Sequence, residues 1–304
     1  MELEERVPNE PREGFVTAQD GTKIYWCARG SGPPLMMFDG IGCDGFAWRY
    51  LLPHLAQTHR VIHWHYRGHG RSGLPADPSK VEIPVLAEDA VTVFEHVGAG
   101  RAVLIGHSMG TQVALEFYRS QPESVAALIL CCGSYGQVTS HFHNSDRLKH
   151  ALPTIIKAVD HHLGIARAIW GRVPAGLAYR IARLSGEVDR FAIREDDFRA
   201  YWSHVASMGP KLFLSMLECA GEHSAEDLLE QINVPTLVIA AERDTFSPPE
   251  RAQRMASLIP NSELTMIPEG SHAAVVEQPD TVRRHIDRFL LERLGRVSGD
   301  FADQ

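Results

Sequence analysis

Gly106-His107-Ser108-Met109-Gly110 sets a serine between two glycines, directly after the short, apolar, β-branched run Ala102-Val103-Leu104-Ile105. On its other side, Thr111 to Tyr118 carries apolar residues at helical spacing, so the serine stands where a buried strand turns into a helix. A turn this sharp forces its apex into a strained backbone conformation. Only neighbours without side chains can approach it closely, and Gly106 and Gly110 are those neighbours. Ser108 is thereby lifted clear of the sheet at a helix N-terminus, where free N–H groups and the positive end of the macrodipole favour developing negative charge. The pattern marks Ser108 as a candidate nucleophile.

Outward from this elbow, strands alternate with helices. Upstream, Leu35-Met36-Met37-Phe38 and Val61-Ile62-His63-Trp64 read as strands, and Val85, Leu86, Ala90, Val93, Phe94 and Val97 mark an amphipathic helix. Downstream, Val125-Ala126-Ala127-Leu128-Ile129-Leu130 repeats the strand pattern. Nearly continuous apolar strands separated by helices indicate a parallel sheet covered on both faces, a doubly wound α/β arrangement. The N-terminus differs. There Gly14–Ala18 and Lys23–Ala28 flank an Asp20-Gly21 pair, which predicts an antiparallel hairpin.

The alternation stops at Gly133-Ser134 and resumes only at Val234-Pro235-Thr236-Leu237. Between them the chain reads as helical, with Pro153, Pro174 and Pro210 placed to occupy first helical turns and Phe198, Trp202 and Val205 recurring at i, i+4, i+7. Residues 135–223 are therefore expected to form an inserted helical cap, with 1–134 and 224–304 forming the core. Pro249 to Ile259 predicts a helix, Leu264 to Ile267 a last strand, and Val282, Ile286, Phe289, Leu290 and Leu294 one face of a final helix.

Composition narrows the function classes. The chain has 304 residues, 44% hydrophobic and 22% charged, enough apolar material for a large core. A formal net charge of −8 with no Lys/Arg block argues against nucleic acid, which is bound chiefly through basic phosphate contacts. The acidic start Met1-Glu2-Leu3-Glu4-Glu5-Arg6 lacks the apolar core of a secretory signal, and no apolar run approaches the ~20 residues that span a bilayer. A cytoplasmic protein is expected, its oligomeric state open. Five cysteines in no C-x-x-C spacing suit reduced thiols.

With the elbow, the parallel sheet and the late insertion in hand, the whole chain resembles the α/β-hydrolase family, whose triad partners follow in the order serine, acid, histidine. Ala241-Glu242-Arg243-Asp244 follows one strand and Glu269-Gly270-Ser271-His272 follows the last. The resemblance puts the acid at Asp244 and the base at His272, on loops that reach the carboxyl edge of the sheet where Ser108 also sits. It implies an oxyanion site from two backbone N–H groups, those of Met109 and Ile41. This chain departs from the family at Asp39-Gly40, where His-Gly is common, so a carboxylate stands beside a site that would stabilise negative charge. The simplest reading makes Asp39 a brace for its loop. Tyr66-Arg67-Gly68-His69-Gly70-Arg71-Ser72 resembles the family's R-G-x-G-x-S loop and is read as structural.

The resemblance implies a serine hydrolase that cleaves a small, largely apolar carboxylic ester or lactone through an acyl-enzyme, with no cofactor. Relatives with the same triad also hydrolyse carbon–carbon bonds or act as cofactor-free peroxidases, and some members of the fold are small-molecule receptors, so these readings stay open. The aromatics Tyr179, Phe191, Phe198, Trp202 and Phe213 are mostly core at helical spacing, but some must face the gap between cap and sheet, and Trp202, Phe198 and Phe213 are the candidate lining of an apolar pocket there. His63 and His65 share a strand face, a spacing open to metal binding, but no third ligand is evident and no metal is expected.

Overall fold

The computed structural model describes residues 11–185, 188 and 193–295. Eight strands form one sheet: β1 (Arg12–Thr17), β2 (Lys23–Arg29), β3 (Pro34–Phe38), β4 (Arg60–Trp64), β5 (Ala102–His107), β6 (Val125–Cys131), β7 (Thr236–Ala241) and β8 (Ser262–Ile267). Their spatial order is β1-β2-β4-β3-β5-β6-β7-β8. The β1–β2 and β2–β4 pairs are antiparallel and every later pair is parallel. This is the doubly wound, mostly parallel sheet expected of the sequence. Alternation along each strand divides the core: Leu104, Leu128 and Val238 face one side, while Val103, Ile129 and Leu237 face the other.

The helices cover these two faces. The chain supplies α1 (Leu51–Leu55), α2 (Ile83–His96) and α3 (Met109–Ser120), then, after the sheet's sixth strand, α4 (Arg147–His161), α5 (Leu163–Trp170), α6 (Ala175–Ser185), α7 (Glu195–Met208) and α8 (Pro210–Glu222), and finally α9 (Pro249–Leu258), α10 (Ala274–Glu277) and α11 (Pro279–Leu294). Helices α2, α3 and α9 cover one face through residues such as Leu86, Val113 and Met255, and α1, α10 and α11 the other through Leu51, Val275 and Phe289.

Among the described residues, every named element between Gln137 and Gln231 is a helix. The chain leaves and re-enters the core through a paired neck, in which Ala225 N–H donates to Tyr135 O (2.8 Å) and Gln137 N–H to His223 O (2.9 Å). Pro210 opens α8 as expected, whereas Pro174 stands just before α6 rather than in its first turn and its O accepts the N–H groups of Leu177 and Ala178. Pro153 corrects the sequence reading: it lies inside α4 rather than in its first turn. It deprives only Lys149 O of an intrahelical donor, and α4 is held by its packing on α8.

Candidate active site

Parallel register brings the carboxyl ends of the central strands level, with Phe38 opposite Gly106 and Ala241 opposite Ile267. The loops that follow them therefore meet over one edge of the sheet. Ser108 stands at the apex of the β5–α3 turn with φ 54° and ψ −122°, a conformation side chains rarely adopt. Two close approaches hold it there. A Cβ on Gly106 would lie 2.5 Å from Gly110 O, and one on Gly110 would lie 2.1 Å from Phe38 O, so neither position accommodates a side chain. Ser108 N–H donates to Cys131 O at 3.0 Å, which ties the apex to the neighbouring strand.

Two loops converge on this hydroxyl. His272 Nε2 lies 2.8 Å from Ser108 Oγ, and its Nδ1 lies 3.0 and 2.9 Å from the two oxygens of Asp244. Asp244 is 3% exposed, and its Oδ1 also accepts the N–H groups of Phe246 (2.9 Å) and Ser247 (2.8 Å). With a carboxylate accepting at Nδ1, that nitrogen carries the proton and Nε2 is left to accept from the serine. The His272 loop is braced by Glu277, which accepts from Ser271 Oγ (2.7 Å) and Ser271 N–H (3.2 Å). Glu242, the other acid near Asp244, is exposed and accepts Glu269 N–H instead.

The loop after β3 lies against the serine, since a Cβ on Gly40 would stand 3.1 Å from Ser108 Cβ. Met109 opens α3, and among the described residues no hydrogen bond is made by its N–H or by that of Ile41. The Ile41 loop is pinned from behind. His69 Nε2 accepts Gly42 N–H at 3.1 Å, Tyr66 Oη donates to Asp39 O at 2.8 Å, and Asp39 Oδ2 accepts Gly45 N–H at 2.8 Å. Burial and the neighbouring His204 push the His69 pKa down to about 4, so it stays neutral and able to accept.

Asp39 has a second partner, His63, whose Nε2 stands 2.8 Å from Asp39 Oδ2 with both side chains buried. Burial alone would discharge both groups. Mutual attraction reverses this: the Asp39 pKa is lowered, and that of His63 is raised to about 10. The carboxylate beside the serine is thus one half of an ion pair. His65 takes the opposite state, pushed down to about 3 by burial and by the charge on His63, and its Nδ1 accepts Arg71 N–H at 2.8 Å. Among the described residues no group of three or more His, Cys, Asp or Glu side chains is arranged to hold a metal ion.

The sequence reading overlooked several residues here. His107, one before the serine, is buried, held neutral at a pKa of about 4 by burial and by His272, and its Nε2 lies 3.1 Å from His272 O. Phe246 sets its ring 4.8 Å from that of His272, and Phe142 packs on Phe246 at 4.8 Å. Adjacency to Ser108 and Asp244 was the available signal for His107 and Phe246. Phe142 had none. Of the pocket candidates, Phe213 lies beside Gly42, together with Tyr201 and Val205. Phe198 is 5% exposed inside a cluster with Tyr179 and Ile193, and Trp202 stacks on it at 6.5 Å while donating Nε1–H to Val173 O. Phe191 lies outside the described residues.

A family model described as the alpha/beta hydrolase family matches residues 40–285. The chain belongs to that family. Among curated proteins, bifunctional epoxide hydrolase 2 of Mus musculus is 24% identical over 93% of this α/β hydrolase, which spans only 56% of that protein's length. Among solved structures, a thermophilic esterase from Thermogutta terrifontis shares 25% identity with a TM-score of 0.75, covering 92% of this chain and 98% of the esterase. Est816, described as an N-acyl homoserine lactone degrading enzyme, also shares 25% identity, with a TM-score of 0.72 over 91% of this chain and 100% of its own. Two of these names are those of hydrolytic enzymes, an epoxide hydrolase and an esterase, and the third is that of a lactone-degrading enzyme. Among the described residues no helix is long and apolar enough to cross a membrane.

Proposed function

We propose that this α/β hydrolase cleaves a small, largely apolar carboxylic ester or lactone through an acyl-enzyme on Ser108. The observation that carries the reading is the unbroken chain from Ser108 Oγ through His272 to Asp244, with every link between 2.8 and 3.0 Å. In the first step Ser108 Oγ attacks the carbonyl carbon and its proton passes to His272 Nε2. The oxyanion forms opposite Met109 N–H and Ile41 N–H, and the imidazolium, stabilised by Asp244, protonates the departing alkoxide. Water activated by His272 then attacks the acyl carbon and restores the serine.

Ester and lactone names among the neighbours support this substrate class. An epoxide is a poorer match for a serine nucleophile. Ring opening by Ser108 would leave a dialkyl ether on the enzyme, which offers no acyl carbon for water to attack, whereas a carboxylate nucleophile would leave a hydrolysable ester. We assign residues 135–223 to a cap that sets substrate choice, supported by the paired neck at Tyr135 and Ala225 and by the approach of Tyr201, Val205 and Phe213 to Gly42.

Turnover of p-nitrophenyl esters of graded chain length, run beside lactones and 1,3-diketones, tests the reading. Short esters or lactones should turn over, a fluorophosphonate should label Ser108, and Ser108→Ala should abolish both. Diketone cleavage without ester cleavage would assign carbon–carbon chemistry to the site. Absence of all turnover with intact folding would favour a receptor.

A further inference from the structure

The whole-chain charge conceals a strongly basic segment. From Arg147 through Ser185, the span of α4, α5 and α6, there are seven Lys and Arg against Asp160 alone, a net +6 in a chain whose total is −8. Asp160 is itself paired with Lys211 at 2.8 Å. The same helices expose large aliphatic side chains: Ile165 (62%) and Ile169 (61%) one turn apart on α5, and Leu177 (50%) and Leu184 (88%) two turns apart on α6. Lys157, Arg167, Arg172 and Arg180 are exposed among them.

In the helical segment after β6, α4 and α5 pack on α8 and α6 packs on α7. Trp170 of α5 donates Nε1–H to Val205 O of α7 at 2.9 Å and sets its ring 5.6 Å from that of Phe213 on α8, while Tyr179 of α6 packs on Phe198 of α7. Helix α7 also meets Gly42 through Val205 and Tyr201. Helices α7 and α8 thus link the basic, aliphatic helices to the Ser108 cleft, since Phe213 of α8 borders Gly42 as well.

From this combination we infer that α4–α6 form a docking face for an anionic lipid bilayer. Exposed aliphatics of four-carbon length suit the boundary between head groups and acyl chains, and interleaved Lys and Arg suit anionic head groups. Two other partners match less well. A second copy meeting this face about a two-fold axis would set +6 against +6. Nucleic acid would meet the cations through phosphates but offers no apolar complement to Ile165, Ile169, Leu177 and Leu184. Docking would bring the cleft to an interface where apolar esters concentrate, but the inference does not depend on the reaction assigned to Ser108.

Flotation of the full chain with phosphatidylcholine vesicles, with and without phosphatidylglycerol, tests it directly. Binding should require phosphatidylglycerol and should weaken as ionic strength rises from low to physiological. Each of Lys157→Gln, Arg167→Gln and Arg172→Gln should weaken partitioning about fivefold at low salt. The pair Ile165→Ser with Ile169→Ser should weaken it further, with an unchanged thermal midpoint as the control for folding. Absent flotation at low salt, equal flotation on vesicles lacking phosphatidylglycerol, or binding indifferent to all these substitutions would overturn the assignment. So would self-association through the face in lipid-free solution, or competition by duplex DNA at lower concentration than by anionic vesicles.

Discussion

Asp39 places a carboxylate one residue from the loop that abuts Ser108, where an unneutralised negative charge would oppose the proposed oxyanion. His63 neutralises it, and this coupling has a pH signature. The folded His63 holds its proton up to about 10, whereas an unfolded histidine releases it near 6.5. Its stabilising contribution is therefore complete below about pH 6.5 and lost as pH rises through about 10. The lowered Asp39 pKa acts in the other direction, contributing above ~3.8 and failing as pH falls below it. The thermal midpoint of the wild type should decline between pH 6.5 and 10 more steeply than that of His63→Gln. Parallel curves would remove the ion pair from the account. At pH 7 Asp39→Asn should cost about 3 kcal/mol of stability, because it breaks the buried ion pair and leaves His63 to burial, which discharges the ring, yet change turnover less than about tenfold, because Asn still accepts Gly45 N–H. The brace at Asp39 was legible in the sequence and its charge partner was not. His63 is 24 positions away, and the strand pattern shows only that it shares a face with His65, not that burial beside Asp39 charges one ring and discharges the other.

At the scale of elements, nearly continuous apolar runs revealed the core strands, which are buried on both faces, and period-3.6 patterns revealed helices such as α2, α7 and α11, each of which buries one face. They could not say which face of a helix in the insertion looks toward Ser108. Such a helix has two apolar sides, one for its neighbours and one for the cleft, and Phe198 and Phe213 look alike in sequence. The structure separates them: Phe198 sits inside the α6–α7 cluster, while Phe213 and Tyr201 border Gly42. Substituting Phe213 or Tyr201 by Ala should therefore shift the preferred acyl length, changing discrimination between neighbouring chain lengths by roughly 1–3 kcal/mol. Phe198→Ala should instead lower stability by about 3–5 kcal/mol and leave the ratio of kcat/KM values across the ester series intact. A reversal of these two outcomes would move the pocket to the α6–α7 side of the insertion.

For the whole molecule, the parallel sheet itself assembles the site, because level strand ends carry three loops, distant in sequence, to one point. Ser108 was legible from its strand–turn–helix setting and the family resemblance pointed to Asp244 and His272 on loops after later strands, but the supports of Asp244 were not legible, being backbone groups of the turn that follows it. Those supports make Asp244→Asn an informative substitution. An Asn side chain can keep its oxygen toward Phe246 N–H and Ser247 N–H, which leaves its amide nitrogen facing His272 Nδ1. A donor there selects the tautomer with its proton on Nε2, the nitrogen that must receive the Ser108 proton. Turnover should fall on the order of 10⁴-fold with a thermal midpoint close to wild type, and fluorophosphonate labelling of Ser108 should slow in parallel. Glu242 is poorly placed to substitute, since it is exposed and engaged with Glu269 N–H. Near-normal kcat in Asp244→Asn would mean that His272 is oriented by something other than this carboxylate, with the Nε2 contact of His107 to His272 O the first place to look.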